Sequence, residues 1–155
     1  MILFKETNLE DLEPLMQEAH QSKAFLPQSH EPDLNIGELI RSVQNEKGFH
    51  SFCIHDEKQT PLGFITVFPD EDPEDLHIGP MYISTTNRGK GLGRLQFGKL
   101  LEWARANGYK RASLMTWGGN RGSRRIFEGA GFNVVEEKAN QRVNGDSTVF
   151  YESKL

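Results

Sequence analysis

Three alternate glycines flanked by positive charges mark the segment of this chain best suited to binding an anion. The segment, called the glycine loop below, reads Arg88, Gly89, Lys90, Gly91, Leu92 and Gly93. Glycines let successive backbone N–H groups point into one concavity, and the first four N–H groups of a helix have no partner within it. The helix dipole adds about half a positive charge at that end. We therefore expect a phosphate to bind here; glycines that only turn the chain into a helix are the alternative.

The spacing of the glycines excludes the two common nucleotide-binding loops. A mononucleotide P-loop requires G-x-x-x-x-G-K-[ST], but Ser84 stands at its first glycine and Gly91 at its final Ser or Thr. In the dinucleotide pattern G-x-G-x-x-G, either Arg94 or Gln96 falls at the third glycine, depending on the starting residue. If this loop binds a phosphate, the loop therefore belongs to another class of phosphate-binding motif.

Positive charge is concentrated around the glycine loop. Residues 88–125 contain ten of the 18 Lys and Arg residues and only one of the 22 acidic residues, so this window carries +9 and the remainder −13. Such asymmetry indicates a polyanionic ligand. Nucleic acid is the obvious rival, but the pI is near 5.7 and the window has few stacking aromatics beyond Trp103, Tyr109 and Trp117. A small polyphosphate of the size of coenzyme A fits better, with a solvated basic helix face as the alternative for individual side chains.

Hydrophobic periodicity and turn residues predict the elements that position this loop, in the order βααβββαβαββ. The predicted strands are residues 2–5, 49–55, 62–68, 76–84, 111–117, 132–138 and 148–152, the last two joined by an Asn144–Gly145 turn. The predicted helices are residues 8–22, 33–46, the stretch from the glycine loop to Gly108, and 121–129. The fold class is therefore α/β, with a mixed sheet and helices on both faces.

Local signals refine two of these helices. Asn8 with Asp11, or Thr7 with Glu10, is suited to capping the first helix. Pro14 predicts that this helix starts late or kinks. Gly37 is expected to interrupt the second helix.

The stretch from residue 76 to 135 resembles the GNAT superfamily of N-acetyltransferases. The acyl-CoA-binding motif of that family, [RQ]-x-x-G-x-[GA], reads here Arg88-x-x-Gly91-x-Gly93. Upstream, residues 76–83 look like the family's fourth strand. Downstream, residues 120–132 look like its N-x-x-A-x-x-[LIF]-Y-E-x-x-G-F segment. Three blocks in the same order are hard to obtain by chance; before residue 76 the resemblance is loose.

This resemblance implies a single GNAT-like N-acetyltransferase domain over residues 1–155, with acetyl-CoA as cosubstrate in a cleft between splayed central strands. The backbone of Met81 and Ile83 would pair with the pantetheine arm, and the amides of residues 88–93 would hold the diphosphate. The implied coenzyme-binding residues are Met81, Ile83, Arg88, Gly89, Lys90, Gly91, Leu92, Gly93, Asn120, Ser123 and Phe127. Asn120 is equally suited to capping a helix. Arg121, Arg124 and Arg125 either reach the ribose phosphate or face water.

Acetyl transfer to an amine requires a neutral nucleophile. A lysine-like amine with a pKa near 10.4 is neutral only about once in 10³ at pH 7, so a base is typically worth 10²–10⁴ in rate. His77 is the candidate, because it lies on the strand before the glycine loop where several relatives place a Glu or His. The alternatives are a half-buried histidine without a catalytic role, or Asp72, Glu74 or Asp75 acting through water.

One position departs from the family pattern. Where the family often has a tyrosine that protonates the leaving thiolate, this chain has Phe127. A thiol pKa of about 8.5 makes the thiolate a tolerable leaving group without an acid. Tyr82, Tyr151 or a water are the possible substitutes, and the sequence selects none of them.

Three function classes follow. The first is an acetyl-CoA-dependent N-acetyltransferase acting on a primary amine of a small molecule or peptide by direct attack in a ternary complex. The second is an acyl-CoA-binding regulatory domain with little catalysis, and the third, a nucleic-acid-binding domain, is disfavoured by the acidic pI. By resemblance the acceptor site is walled by the first two helices and hairpin loops, which carry His20, His30, Glu31, Asp33, Glu38 and the acidic residues 70–75.

The remaining expectations concern surroundings and assembly. A lone cysteine, Cys53, excludes an internal disulfide, and no His or Cys spacing suggests a metal site. We expect no membrane span, no signal peptide and a cytoplasmic location. Family members are frequently dimers, so a homodimer stays open.

Overall fold

A mixed sheet organises the computed structural model, which describes residues 1–25 and 34–155. Its strands are β1 Leu3–Glu6, β2 His50–His55, β3 Pro61–Phe68, β4 Asp75–Ile83, β5 Arg111–Trp117, β6 Asn133–Lys138 and β7 Thr148–Lys154. Within the described residues they lie in the order β1-β2-β3-β4-β5-β7-β6, and only β4 and β5 run parallel.

Helices cover both faces of this sheet. They are α1 Leu9–Gln21, α2 Ile36–Val43, α3 Leu92–Ala106 and α4 Arg121–Gly129, and a 3₁₀ turn, Thr85–Asn87, follows β4. The predicted fold class, element order and helix placement are confirmed. None of the helices in the described part of the chain is long and apolar enough to cross a membrane.

Two apolar clusters lie on opposite faces of the sheet. On one face α1 and α2 pack against β2, β3 and β4, where Leu12, Ile40, Phe64 and Tyr82 are buried together. On the other face α3 and α4 cover a cluster of buried residues from all the central strands: Phe52, Ile65, Val67, Leu76, Ile78, Phe97, Leu100, Leu101, Ala104, Ala112, Leu114, Phe127, Phe132, Val149 and Tyr151. The glycine loop therefore leads into a helix that is fixed to the sheet by burial of its apolar face.

Both early helices differ in extent from the prediction. Helix α1 begins at Leu9 and includes Pro14, so it does not start late. The Asn8 side chain caps it by accepting a hydrogen bond from the Asp11 amide, at 3.1 Å. Within the described residues, helix α2 covers less than the predicted stretch: it begins at Ile36, after the Asn35 cap, and ends at Val43. Gly37 lies in its first turn and does not interrupt it.

The β6–β7 connection has the predicted length. Residues 139–147 join the two strands, and the Gly145 amide closes a turn on the Arg142 carbonyl, at 2.9 Å. Asn144 and Gly145 both lie in this hydrogen-bonded turn, as predicted, and Gly145 has φ of +85°. The loop matters for the site because it contacts the start of α4.

Candidate active site

A cleft opens where strands β4 and β5 separate. Their parallel pairing covers three residue pairs and ends at His77 with Ser113. Beyond that point residues 78–83 and 114–117 have no registered partners across the gap, although both stretches remain β-strand. The splayed central strands are therefore confirmed, and the backbone edge of β4 is left open to a ligand.

A bulge in β4 lies next to the point where the strands separate. Ile65 pairs with Met81 and Val67 with Ile78, so two residues of β4, Gly79 and Pro80, face Thr66 alone. The Thr66 hydroxyl donates to the Pro80 carbonyl at 3.0 Å. Position 79 requires glycine because a Cβ there would lie 2.5 Å from Thr66 Oγ1 and from the Phe68 ring.

The bulge also sets which backbone groups of β4 face the cleft. Past it, the Ser84 amide bonds to the Leu62 carbonyl of β3, at 2.9 Å. Because hydrogen-bonding direction alternates along an antiparallel strand, the N–H and C=O groups of Met81 and Ile83 point away from β3. They are directed into the cleft, as a backbone-pairing ligand requires.

The cleft has a volume of about 620 Å³ and runs from β4 and β5 to the first turns of α3 and α4. The predicted coenzyme residues that line it are Met81, Ile83, Arg88, Gly89, Gly91, Leu92, Gly93, Asn120, Ser123 and Phe127. Lys90 and His77 are not in its wall. Residues 114–117 of β5 complete the opposite side.

The glycine loop presents unpaired amides at the mouth of this cleft. Gly89 and Gly91 both have φ of +77°, in the left-handed region that glycine adopts without strain. Gly91 is the N-cap of α3, and the first bond of the helix is from the Leu95 amide to the Gly91 carbonyl. No acceptor in the described part of the chain bonds the amides of residues 88–94. These N–H groups and the positive end of the α3 dipole give this turn a positive potential that suits an anion.

Gly93 has a different role in the same turn. A Cβ there would lie 3.1 Å from Ile126 Cδ1 of α4 and 3.8 Å from Ile83 Cγ1 of β4. The absence of a side chain therefore lets α3 begin close to both walls of the cleft.

Arg88 is held by two contacts at the start of the loop. Its Nε donates to the Ile83 carbonyl at 3.1 Å, and its guanidinium carbon lies 5.2 Å from the centre of the Tyr82 ring. This arrangement orients a positive charge toward the cleft, which Arg88 lines.

The start of α4 places polar groups on the opposite wall. Asn120 stands at the N-cap position, but its side chain does not cap the helix; its Nδ2 donates to Thr116 Oγ1 at 2.9 Å. Asp146 of the β6–β7 loop accepts instead from the Gly119 amide, at 2.9 Å. A loop distant in sequence thereby fixes the residue that precedes Asn120.

Phe127 lies inside the wall with its ring 5.2 Å from Phe97 and 5.6 Å from Tyr151. Tyr151 is fully buried, and its hydroxyl accepts from Arg124 Nε at 2.8 Å. Arg124 also bonds the Gly118 carbonyl, so this guanidinium is engaged within the protein. Of the three α4 arginines, Arg121 and Arg125 remain exposed.

His77 lies at the closed end of the splay, where β4 and β5 are still paired. Its Nδ1 is 3.1 Å from Ser113 Oγ. Burial lowers the pKa of His77 below its ordinary value of 6.5, and the charge of Asp70 opposes this shift. The imidazole is therefore neutral at pH 7 and able to accept a proton.

Only some of the residues expected to line the acceptor site lie in the part of the chain that the structure describes. His20 is exposed in the last turn of α1, and Glu38 is exposed in the first turn of α2. His30, Glu31 and Asp33 lie outside the described residues. In the acidic stretch 70–75, Asp72 and Asp75 form ion pairs with Arg111, at 3.7 and 3.0 Å. No group of three His, Cys, Asp or Glu among the residues that the structure describes is placed to hold a metal.

Sequence reasoning missed three residues near the site. Glu18 of α1 bonds the Tyr82 hydroxyl, Gln96 of α3 is fully buried against the Phe64 carbonyl, and Asp146 holds the start of α4. For Gln96 the available signal in the sequence was a polar residue on the otherwise apolar face of the predicted helix. Glu18 and Asp146 had none, because their partners lie 64 and 27 residues away.

Comparison with known proteins agrees with this geometry. The model of the GNAT acetyltransferase family matches residues 9–132, and the chain therefore belongs to that family. Its members transfer acetyl groups, and acetyl-CoA is the cosubstrate of this acyltransferase. None of the curated protein sequences matches the chain.

Solved structures share the fold at low sequence identity. Spermidine N-acetyltransferase of Vibrio cholerae, in complex with CoA and spermine, has a TM-score of 0.81 at 12% identity, covering 99% of this chain and 95% of that one. A phosphinothricin acetyltransferase of Sinorhizobium meliloti, in complex with acetyl-CoA, has a TM-score of 0.80 at 15% identity, covering 99% and 88%. The ribosomal-protein-S18-alanine N-acetyltransferase of Escherichia coli has a TM-score of 0.76 at 15% identity, covering 99% and 94%.

Proposed function

We propose that this enzyme transfers the acetyl group of acetyl-CoA to a primary amine by direct attack in a ternary complex. The observation that carries the proposal is the open cleft between β4 and β5, with a loop of unpaired amides at its mouth. Residues 88–93 would hold the diphosphate, with Lys90 adding charge from the loop. The backbone of Met81 and Ile83 would orient the pantetheine arm and thioester, and Asn120, Ser123 and Phe127 would line its other side.

His77 is proposed as the base that accepts the proton of the attacking amine. Its neutral imidazole at pH 7 suits proton acceptance, and Ser113 fixes the orientation of its ring. Because His77 is not in the cleft wall, the proton would reach it through a water between the amine and the imidazole. The thiolate would leave without an assigned acid, because the Tyr82 hydroxyl donates its proton to Glu18 and Tyr151 is buried outside the cleft wall.

The acceptor is proposed to be a cationic amine. The acidic residues 70–75 adjoin the strand that carries His77, and the charge of Asp70 acts on the imidazole. Negative potential raises the local concentration of a protonated amine. The spermine complex of the Vibrio cholerae relative supports this class.

The decisive experiment is a thiol-release assay with acetyl-CoA and a panel of amines: a polyamine, an amino acid, an aminoglycoside and a peptide with a free amino terminus. We expect amine-dependent release of CoA. His77→Gln should lower kcat/KM by about 10², within the usual range for a general base, and leave the KM for acetyl-CoA unchanged. His50→Gln is the control, because His50 lies on β2 outside the cleft wall.

Two results would contradict the proposal. Tight binding of acetyl-CoA in a calorimeter without thiol release for any amine would favour the regulatory domain instead. Equal activity of the two histidine variants would remove His77 as the base.

We also propose that residues 1–155 act as one domain in the cytoplasm without a nucleic-acid partner. Strand β7 lies between β5 and β6, which ties the last described strand into the central sheet. The pairing of Arg111 with two carboxylates and the internal bonds of Arg124 reduce the charge available to nucleic acid. A sedimentation measurement would decide between a monomer and a homodimer.

A further inference from the structure

One carboxylate of helix α1 contacts the strand that leads into the glycine loop. Glu18 Oε2 accepts from the Tyr82 hydroxyl at 2.6 Å and from the Thr85 amide at 3.3 Å. Tyr82 is 4% exposed, and Thr85 begins the 3₁₀ turn between β4 and the loop. A single oxygen therefore fixes both the last side chain of β4 on this face and the amide that begins the 3₁₀ turn.

The same tyrosine ring supports Arg88. The guanidinium lies over the ring, and its Nε is taken by the Ile83 carbonyl. In the part of the chain that the structure describes, the two terminal amino groups of Arg88 have no acceptor. The face of the Arg88 guanidinium and its Nε are thus engaged within the protein. The two terminal amino groups, which can bind a phosphate together, remain free.

The Tyr82 hydroxyl keeps its proton under ordinary conditions. Burial and the hydrogen bond to Glu18 raise the pKa of Tyr82 above 10, outweighing the opposing effects of Ser22 and Arg88. The phenol is therefore a donor to Glu18, and the direction of the contact is fixed.

We propose that Glu18 is a positioning residue for the phosphate groups of coenzyme A, acting through Tyr82 on Arg88 and through Thr85 on the glycine loop. An arginine side chain has many rotamers, and it loses this conformational entropy when it binds a ligand. The Glu18–Tyr82–Arg88 arrangement removes much of that freedom before the coenzyme arrives. The proposal rests on the coenzyme site and not on the amine acceptor, so it survives if acetylation fails while CoA still binds.

Calorimetry with CoA and its two halves tests this role. For Glu18→Ala we expect the dissociation constants of CoA and of 3′-phospho-ADP to rise about tenfold, and that of pantetheine to change less than twofold. Glu18→Gln, whose amide oxygen can accept both hydrogen bonds, should restore most of the affinity for CoA. Gln17→Ala, at an exposed neighbouring position on α1, is the matched control and should bind like the wild type.

Several outcomes would overturn the proposal. One is wild-type affinity of Glu18→Ala for CoA, and another is equal weakening of pantetheine and 3′-phospho-ADP, which would indicate a general packing defect. If the alanine variant does not fold, Tyr82→Phe replaces it, because this change keeps the ring under Arg88 and removes only the hydroxyl. An unchanged affinity of Tyr82→Phe for 3′-phospho-ADP would then refute the role of Glu18.

Discussion

Replacing Gly91 by alanine tests whether the shape of the glycine loop is what binds the coenzyme phosphates. Gly91 has φ of +77° and caps α3, and a Cβ placed on it would meet nothing within 4 Å. The substitution therefore introduces no clash, and its whole effect comes from the left-handed backbone. For an L-residue that conformation costs about 1–2 kcal/mol.

This cost divides between folding and binding. If the alanine loop keeps its shape, the free energy of unfolding falls by about 1–2 kcal/mol; if it relaxes, the dissociation constant for CoA rises by up to about 5- to 30-fold. The two losses together should equal the backbone cost. Gly91→Asn should lose less than Gly91→Ala, because asparagine enters the left-handed region more readily.

Gly98 provides a matched control in the same helix. It lies inside α3 with open space around its Cβ and without a positive φ. Gly98→Ala should stabilise the protein by about 0.5–1 kcal/mol without changing CoA affinity. Calorimetric titration with CoA and urea unfolding of the three variants supply both quantities. If Gly91→Ala matches the wild type in both, the loop conformation is not what binds the coenzyme.

Three further predictions follow from the strands and the cleft wall. Gly79→Ala should lower the free energy of unfolding by about 1–3 kcal/mol, measured in urea, because its Cβ would overlap Thr66 and Phe68; an unchanged stability would show that the bulge can relax. Burial lowers the pKa of His77 in the folded protein, so the unfolded chain binds a proton at this residue at a higher pH than the folded protein does. The free energy of unfolding should therefore fall as the pH drops below about 6.5 and level off below the pKa of the folded state. Above about pH 6.5 this group should have no effect on the free energy of unfolding. Urea unfolding between pH 5 and 8 should show a shallower slope for His77→Gln, and an equal slope would assign the dependence to another group. Phe127→Tyr should raise the single-turnover rate by returning a hydroxyl to the cleft wall, and an unchanged rate would show that thiolate protonation does not limit the reaction.

The glycine loop was predictable because its physics is local. The spacing of Gly89, Gly91 and Gly93, followed by an apolar helical face, indicates backbone amides at a helix start without reference to the rest of the chain. The same holds for the Asn8 cap. These features depend on residues within one or two turns of each other.

The side-chain contacts at the site could not be predicted from local sequence. Simple alternation along β4 would place Ile78 and Tyr82 on the same face, but the bulge at Gly79 sends Tyr82 to the α1 side and Ile78 to the α3 side. The hydrogen bond between Tyr82 and Glu18 joins residues 64 positions apart. Likewise, Arg124 was a candidate for binding the ribose phosphate, but its guanidinium donates hydrogen bonds to the Tyr151 hydroxyl and the Gly118 carbonyl within the fold.

The placement of β7 between β5 and β6 has a consequence for how the enzyme is made. Until residues 148–154 have left the ribosome, β5 has only a three-pair contact with β4 and no neighbour on its other side. A nascent chain stopped before that point exposes an unpaired strand edge, which is prone to association with other chains. Competence to capture the coenzyme should therefore appear only after residues 148–154 have been synthesised, although the glycine loop precedes them in the chain.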